Sequence, residues 1–164
     1  MPDDSHSREP SRLQAEIGQT RPFSNASQEA LLGIARTASV IDRLVTRSLA
    51  PFKLSSAQYN VLRILRGAGD GGLPTLAIRC RLIDPSAAIT RLIDKLEKAG
   101  LVSRGRAASD RREVICRITP AGLDLLERIV PVIDEEGRRL EPALSAEELS
   151  TLIHLLDRVR DTLS

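Results

Sequence analysis

Asp84 to Thr119 is the stretch that most limits how this chain can fold. Ile89, Leu92, Ile93, Leu96 and Ala99 recur at the spacing of one helix face, whereas Ser86, Thr90, Arg91, Lys95 and Lys98 fall on the other side. The pattern predicts a helix with one packed face and one polar, basic face. Asp84 can cap orphan amides and Pro85 needs no hydrogen-bond partner in a first turn, so the helix is expected to start there, with Gly100 as its stop. Leu101 to Arg106 and Arg112 to Thr119 follow as two strands, the second alternating Val114, Cys116 and Ile118 against Ile115 and Arg117. A polar tip from Ala107 to Arg111 joins them, so the stretch reads as a helix feeding a two-stranded hairpin with a basic tip.

Charge sharpens this reading. Between Arg79 and Arg117 ten Lys and Arg residues stand against five acids, a net of +5, and from Pro120 onward five Arg face ten acids, a net of −5. The overall formal charge of +2 therefore conceals a basic middle and an acidic final third. A local basic surface is the electrostatic footprint of a phosphate-binding module.

The run TRLIDKLEKAGLVSRGRAASDRREVICRITPAG, from Thr90 to Gly122, resembles the recognition helix and wing of the multiple antibiotic resistance regulator (MarR) family. The tip Asp110-Arg111-Arg112, the Gly-Leu-Val after the helix and the Thr closing the second wing strand carry the match, and a looser similarity extends over 27–164. The resemblance implies a mainly α fold with a small β-hairpin wing, a winged helix-turn-helix with long N- and C-terminal dimerisation helices. It also implies a transcriptional regulator, commonly a homodimeric repressor that binds a pseudo-palindromic site on double-stranded DNA. Members of the family are commonly released by a small phenolic or aromatic anion.

Composition supports a helical, non-enzymatic chain. Its 164 residues are on the scale of one domain, and the aromatics are only Phe23, Phe52 and Tyr59, so aliphatic side chains must fill the interior. No stretch is long and apolar enough for a membrane span, and no apolar signal-peptide core is visible, so a soluble cytoplasmic protein is expected. Cys80 and Cys116 have neither metal-type spacing nor a disulfide pattern; reduced thiols are expected, with a redox-responsive regulator as the alternative. Gly67 to Gly72 lacks the Lys-Ser/Thr of a phosphate loop, His6 and His154 stand apart, and Asp134, Glu135 and Glu136 read as a solvated run. No cofactor, metal site or catalytic group is expected.

In chain order, 1–26 is polar, contains Pro2, Pro10 and Pro22, and is expected to be a flexible arm, although Ser11 to Gly18 could form a turn or two of helix. The N-terminal dimerisation helix, 27–54, is expected to start at a Ser27 cap and to carry a stripe from Leu31 through Ile34, Ala38, Ile41 and Val45 to Leu49. The DNA-binding domain, 55–119, opens on the capping box Ser55 to Gln58 and includes a short helix from Thr75 to Leu82 before the Asp84 helix. Ile83 stands in the turn where the family usually has a small Gly or Ser. The C-terminal dimerisation helices, 120–164, begin at Thr119-Pro120, with a kink expected at Pro131 and a second segment from Val132 to Leu140, and end in a helix capped at Ser145. These terminal helices carry more apolar face than a small body can cover, which points to a twofold dimer.

Side-chain chemistry assigns the contacts. Ser86, Ala87, Thr90 and Arg91, near the start of the recognition helix, are candidates for base edges in the major groove, and Lys95 and Lys98 for backbone phosphates. Arg104, Arg106 and Arg111 are wing phosphate candidates. By resemblance Arg112 is the minor-groove arginine and Asp110 a structural partner within the wing. Arg36, Arg43 and Tyr59 are effector-pocket candidates by element position. The rival class is a winged-helix protein-interaction module whose basic face meets an acidic partner.

Overall fold

The computed structural model describes residues 11–106 and 114–163. The expected contacts at Asp110, Arg111 and Arg112 lie outside the described residues. The chain divides into two compact units, Met1–Arg43 and Leu44–Ser164.

The first unit contains α1 (Arg12–Ile17) and most of α2 (Ala26–Leu49). α1 lies where the sequence allowed a turn or two of helix, between Ser11 and Gly18. Ser11 and Gln14 form a reciprocal capping box, with Ser11 N donating to Gln14 Oε1 at 2.9 Å, and Gln14 Nε2 then donates to the Arg21 carbonyl at 3.1 Å. These bonds satisfy orphan groups that would otherwise fray so short a helix. The start of α2 is corrected: Asn25, not Ser27, accepts from Gln28 N at 2.8 Å, and Gln28 Oε1 accepts from Ser24 N at 2.8 Å. The signal was an Asn with a Gln three residues on.

In the second unit α3 (Ser56–Ala68) starts at the expected Ser55–Gln58 capping box and buries Tyr59, Val61, Leu62 and Leu65. It lies against α4 (Thr75–Cys80), α5 (Ile89–Lys98) and α6 (Pro120–Arg138), whose Ile78, Ile93, Leu96, Leu126 and Ile129 are fully buried. Each such side chain stabilises the unit by about 1.5–3 kcal/mol.

The wing is broader than the predicted hairpin. β1 (Leu73–Pro74), β2 (Val102–Arg106) and β3 (Val114–Ile118) form an antiparallel sheet in the order β1-β3-β2. Leu73 stands opposite Cys116, and Arg104 also lies opposite Cys116 on the other edge. Gly72 makes the added strand possible: its φ is +66°, and a Cβ there would stand 2.4 Å from the Cys116 carbonyl oxygen. Pro74 is tolerated because β1 is an edge strand.

Thr119 caps α6 as expected, accepting from Gly122 N at 3.1 Å while its own hydroxyl donates to the Gly100 carbonyl at 2.7 Å. The two segments predicted around Pro131 are instead one helix ending at Arg138. A proline removes one backbone donor, and the buried Leu126 and Ile129 with the half-buried Ile133 anchor both sides of that position. α7 (Ala146–Leu163) is capped by Ser145, whose Oγ accepts from Glu148 N at 3.2 Å while Glu148 Oε2 accepts from Ser145 N at 2.8 Å. No residue of α7 is buried.

Candidate nucleic-acid interface

The recognition helix starts later than expected. Leu82 is buried and ends the chain's path through the core, and residues 83–88, exposed except for the half-buried Ala87, then lead to α5, which begins at Ile89. Asp84 does not cap α5. Its carboxylate accepts from Ser86 N at 2.9 Å and from the Ser86 hydroxyl at 2.6 Å, closing a local turn that competes with helix formation. Those two bonds hold the Asp84 carboxyl below the usual carboxylate value. Arg79 Nε adds a bond to the Pro85 carbonyl at 3.3 Å, and Asn60 Oδ1 accepts from Ile83 N at 2.9 Å.

α5 separates its faces as the pattern predicts. Ile89, Ile93 and Leu96 are buried and Leu92 is half-buried, while Thr90, Arg91, Lys95 and Lys98 are exposed; Ala99 is also exposed, at the C-terminal cap. Ser86 is exposed and Ala87 half-buried. A shallow recess of about 400 Å³ at this end is lined by Arg79, Ser86, Ala87, Ala88, Ile89, Thr90 and Arg91, so the residues assigned to base edges adjoin one concave surface. Ser86 has already committed its proton to Asp84, so in this arrangement it offers a base an acceptor.

Arg104 takes a different position from that of a phosphate contact. From β2 it reaches back to α5, where its guanidinium pairs with Asp94 at 2.6 Å and Glu97 at 2.9 Å and touches the Thr90 carbonyl at 3.5 Å. Desolvation opposes its charge, but the hydrogen bond to Asp94 and the fields of Glu97 and Asp94 outweigh it, and its pKa is raised. Both acids of α5 are therefore engaged by the wing. Among the described residues no carboxylate pairs with Arg91, Lys95 or Lys98, so the exposed face of α5 carries uncompensated positive charge. One Arg, held by the wing, thus reaches both acids of α5.

The remaining residues separate. Arg106 is exposed at the outer end of β2, opposite Val114, next to the tip. Arg117 is held inward, its Nε donating to the Asp70 carbonyl at 3.0 Å. The effector-pocket candidates lie in different units: Arg36 pairs with Glu16 at 3.8 Å and Arg43 donates to Ser39 Oγ at 2.7 Å, whereas Tyr59 is buried, with the Arg63 guanidinium 5.8 Å from its ring centre. Cys80 is exposed, Cys116 is buried beside Thr75, and neither is in a disulfide. Asn60 was not legible as a functional residue, because its neighbours on the helix face, Ser56, Ala57, Arg63 and Ile64, make a mixed surface in which an amide carries no signal.

Comparison with known proteins adds independent findings. Residues 54–114 match the model of the MarR family. The HTH-type transcriptional regulator PecS of Dickeya dadantii is 32% identical over 142 residues, 85% of each chain. The homoprotocatechuate degradative operon repressor of Escherichia coli is 31% identical over 104 residues, 63% of this chain and 69% of that one. Among solved structures, the C80S mutant of E. coli MarR complexed with operator DNA superposes with a TM-score of 0.68 at 27% identity, covering 91% of this chain and 99% of the other. No helix among the described residues is long and apolar enough to cross a membrane.

Proposed function

This chain belongs to the MarR family of transcriptional regulators, and from that premise we propose that it is a homodimeric repressor released from a pseudo-palindromic operator by a small phenolic or aromatic anion. It is a DNA-binding regulator and not an enzyme. The observation that carries the proposal is the exposed face of α5: Thr90, Arg91, Lys95 and Lys98 stand free of the two acids of their own helix, which Arg104 holds against the wing. In this reading Ser86, Ala87, Thr90 and Arg91 contact base edges, each good bidentate contact being worth about 1–3 kcal/mol of discrimination. Lys95, Lys98, Arg106 and Arg111 neutralise phosphates, Arg112 enters the minor groove, and Asp110 braces the wing. Arg104 acts by holding α5 and β2 together.

The exposed apolar side chains Leu31, Leu32, Ile34, Val40 and Ile41 of α2, and Leu152, Ile153, Leu155 and Leu163 of α7, support dimerisation through the N- and C-terminal helices. The repressor reading draws on the similarity to a protein named as an operon repressor. Arg36, Arg43 and Tyr59 remain the proposed effector contacts.

The test is fluorescence-anisotropy binding to genomic fragments selected from a library, across a salt series. Tight binding to a few pseudo-palindromic fragments, weakening steeply as salt rises, is the expected result. Equal affinity for every random duplex would reject sequence-specific recognition and favour the protein-interaction module.

A further inference from the structure

We propose that Asn60, on α3, is a positioning residue for operator discrimination: its side-chain oxygen holds the backbone of Ile83 and thereby sets the geometry in which residues 84–91 meet DNA. This rests on the reading of α5 as the recognition helix. It adds a residue outside the helix-turn-helix to the determinants of specificity.

Asn60 stands between the buried Tyr59 and Val61 in the middle of α3, a place where asparagine is a poor helix former because its amide competes with the backbone. Its Oδ1 is turned to another element, accepting from Ile83 N at 2.9 Å across 23 residues of sequence. The position of Ile83 explains the need. Arg81 N and Leu82 N still find local carbonyls at Ile78 and Arg79 as α4 ends, and Ile83 N, the next amide, is the one that Asn60 takes. Leu82 is 6% exposed and Ile83 is 83% exposed, so Asn60 grips the chain where it leaves the core for the DNA-facing surface.

Beyond that point, among the described residues, 84–88 make only local hydrogen bonds and one to Arg79. Asp84 closes on Ser86, Ala87 N donates to the Asp84 carbonyl at 3.2 Å, and Arg79 reaches Pro85. α5 has no side-chain cap, its cap position being Ala88. Asn60 therefore adds a side-chain hydrogen bond from α3 at the entry to this turn, beside the apolar packing of Leu82, Ala87 and Ile89 on the core. Without it Leu82, Ala87 and Ile89 still anchor the turn, but the backbone at Ile83 is released between them and the turn samples more than one placement relative to α5. Recognition then requires selecting one placement among several, and apparent affinity falls by the fraction of chains in that placement. Contacts between Lys or Arg and phosphate tolerate such displacement better than base contacts do.

The experiment compares Asn60→Leu, which has the same branching and number of side-chain heavy atoms but no acceptor, with Asn60→Asp, which keeps an acceptor oxygen in the same place. Each full-length protein is titrated with the selected operator fragment and with random duplex across a salt series, and exchange of the Ile83 amide proton is followed by NMR. Asn60→Leu is expected to lower the ratio of specific to random affinity on the order of tenfold, with the salt slope on random duplex unchanged and faster exchange at Ile83. Asn60→Asp is expected to weaken both affinities together through its charge while keeping the ratio and the slow exchange. An undiminished ratio in Asn60→Leu overturns the proposal, as does an equal loss of ratio in both variants. If the unmodified protein itself shows no preference over random duplex, the DNA-recognition reading fails, and the Ile83 exchange rates show whether the Asn60 bond exists apart from it.

Discussion

Asp84 has the residue type and the proline neighbour of a helix cap, yet its carboxylate serves a turn. The local alternative prevails because Ser86 offers both a backbone amide and a hydroxyl within reach of one oxygen. The bonds have a pH signature. They lower the Asp84 pKa from its ordinary 3.8, so the turn gains stability from the charged form above that value and loses it as pH falls through the lower, folded value. An NMR titration of the Asp84 carboxyl should give a midpoint below 3.8, with the Ser86 amide shifting in parallel and no change near neutrality. Ser86→Ala removes the hydroxyl donor and should move the midpoint up toward that value; a midpoint already at or above 3.8 in the unmodified protein would mean the turn is not formed. Arg104 teaches the same lesson about charge. Its residue type and its place beside a basic tip are those of a phosphate contact, and only the reach of β2 back to Asp94 and Glu97 shows it spent on its own protein.

Among elements, the joint between wing and α6 is closely packed. Thr119 bonds Gly100 with its hydroxyl, its amide donates to the Leu101 carbonyl at 3.1 Å, and Gly122 packs so close that a Cβ would stand 2.4 Å from the same carbonyl oxygen and 2.7 Å from Ile118 Cγ1. Gly122→Ala is therefore expected to destabilise the protein by about 1–3 kcal/mol, because the obstacle is backbone that cannot rotate away. Gly137 lies in the same helix with nothing within 4 Å of an added Cβ, and Gly137→Ala should stabilise by about 0.4–1 kcal/mol. Chemical denaturation of both variants checks the pair, and equal shifts of the same sign would refute the packing argument. The helices, their caps at Ser55, Thr119 and Ser145, and the faces of α5 were legible because period and capping are local. β1 was not, since two residues at an edge have no period of their own and become a strand only when β3 lies alongside.

For the whole molecule, the proposed dimer rests on the exposed apolar residues of the terminal helices. α7 buries none of its residues and exposes Leu152, Ile153 and Leu155, and Leu31, Ile34 and Ile41 share one exposed apolar side of α2. Sedimentation equilibrium should give twice the chain mass of 17.9 kDa, and melting temperature should rise with protein concentration. Ile153→Glu should shift the mass toward the monomer and weaken binding to a two-half-site fragment far more than to a half-site. A wild-type protein that is monomeric at micromolar concentration would remove the basis for a palindromic operator. Periodicity and the charge count by themselves determined the helical class, the order of helix and wing, and the basic middle, because these depend on residues close together in the chain. Which cations face outward depended on pairs distant in sequence. Arg104 reaching Asp94 and Glu97, and Asn60 reaching Ile83, bring together groups that only folding makes neighbours, and hydrogen bonds and ion pairs act over a few ångströms of space rather than along the chain.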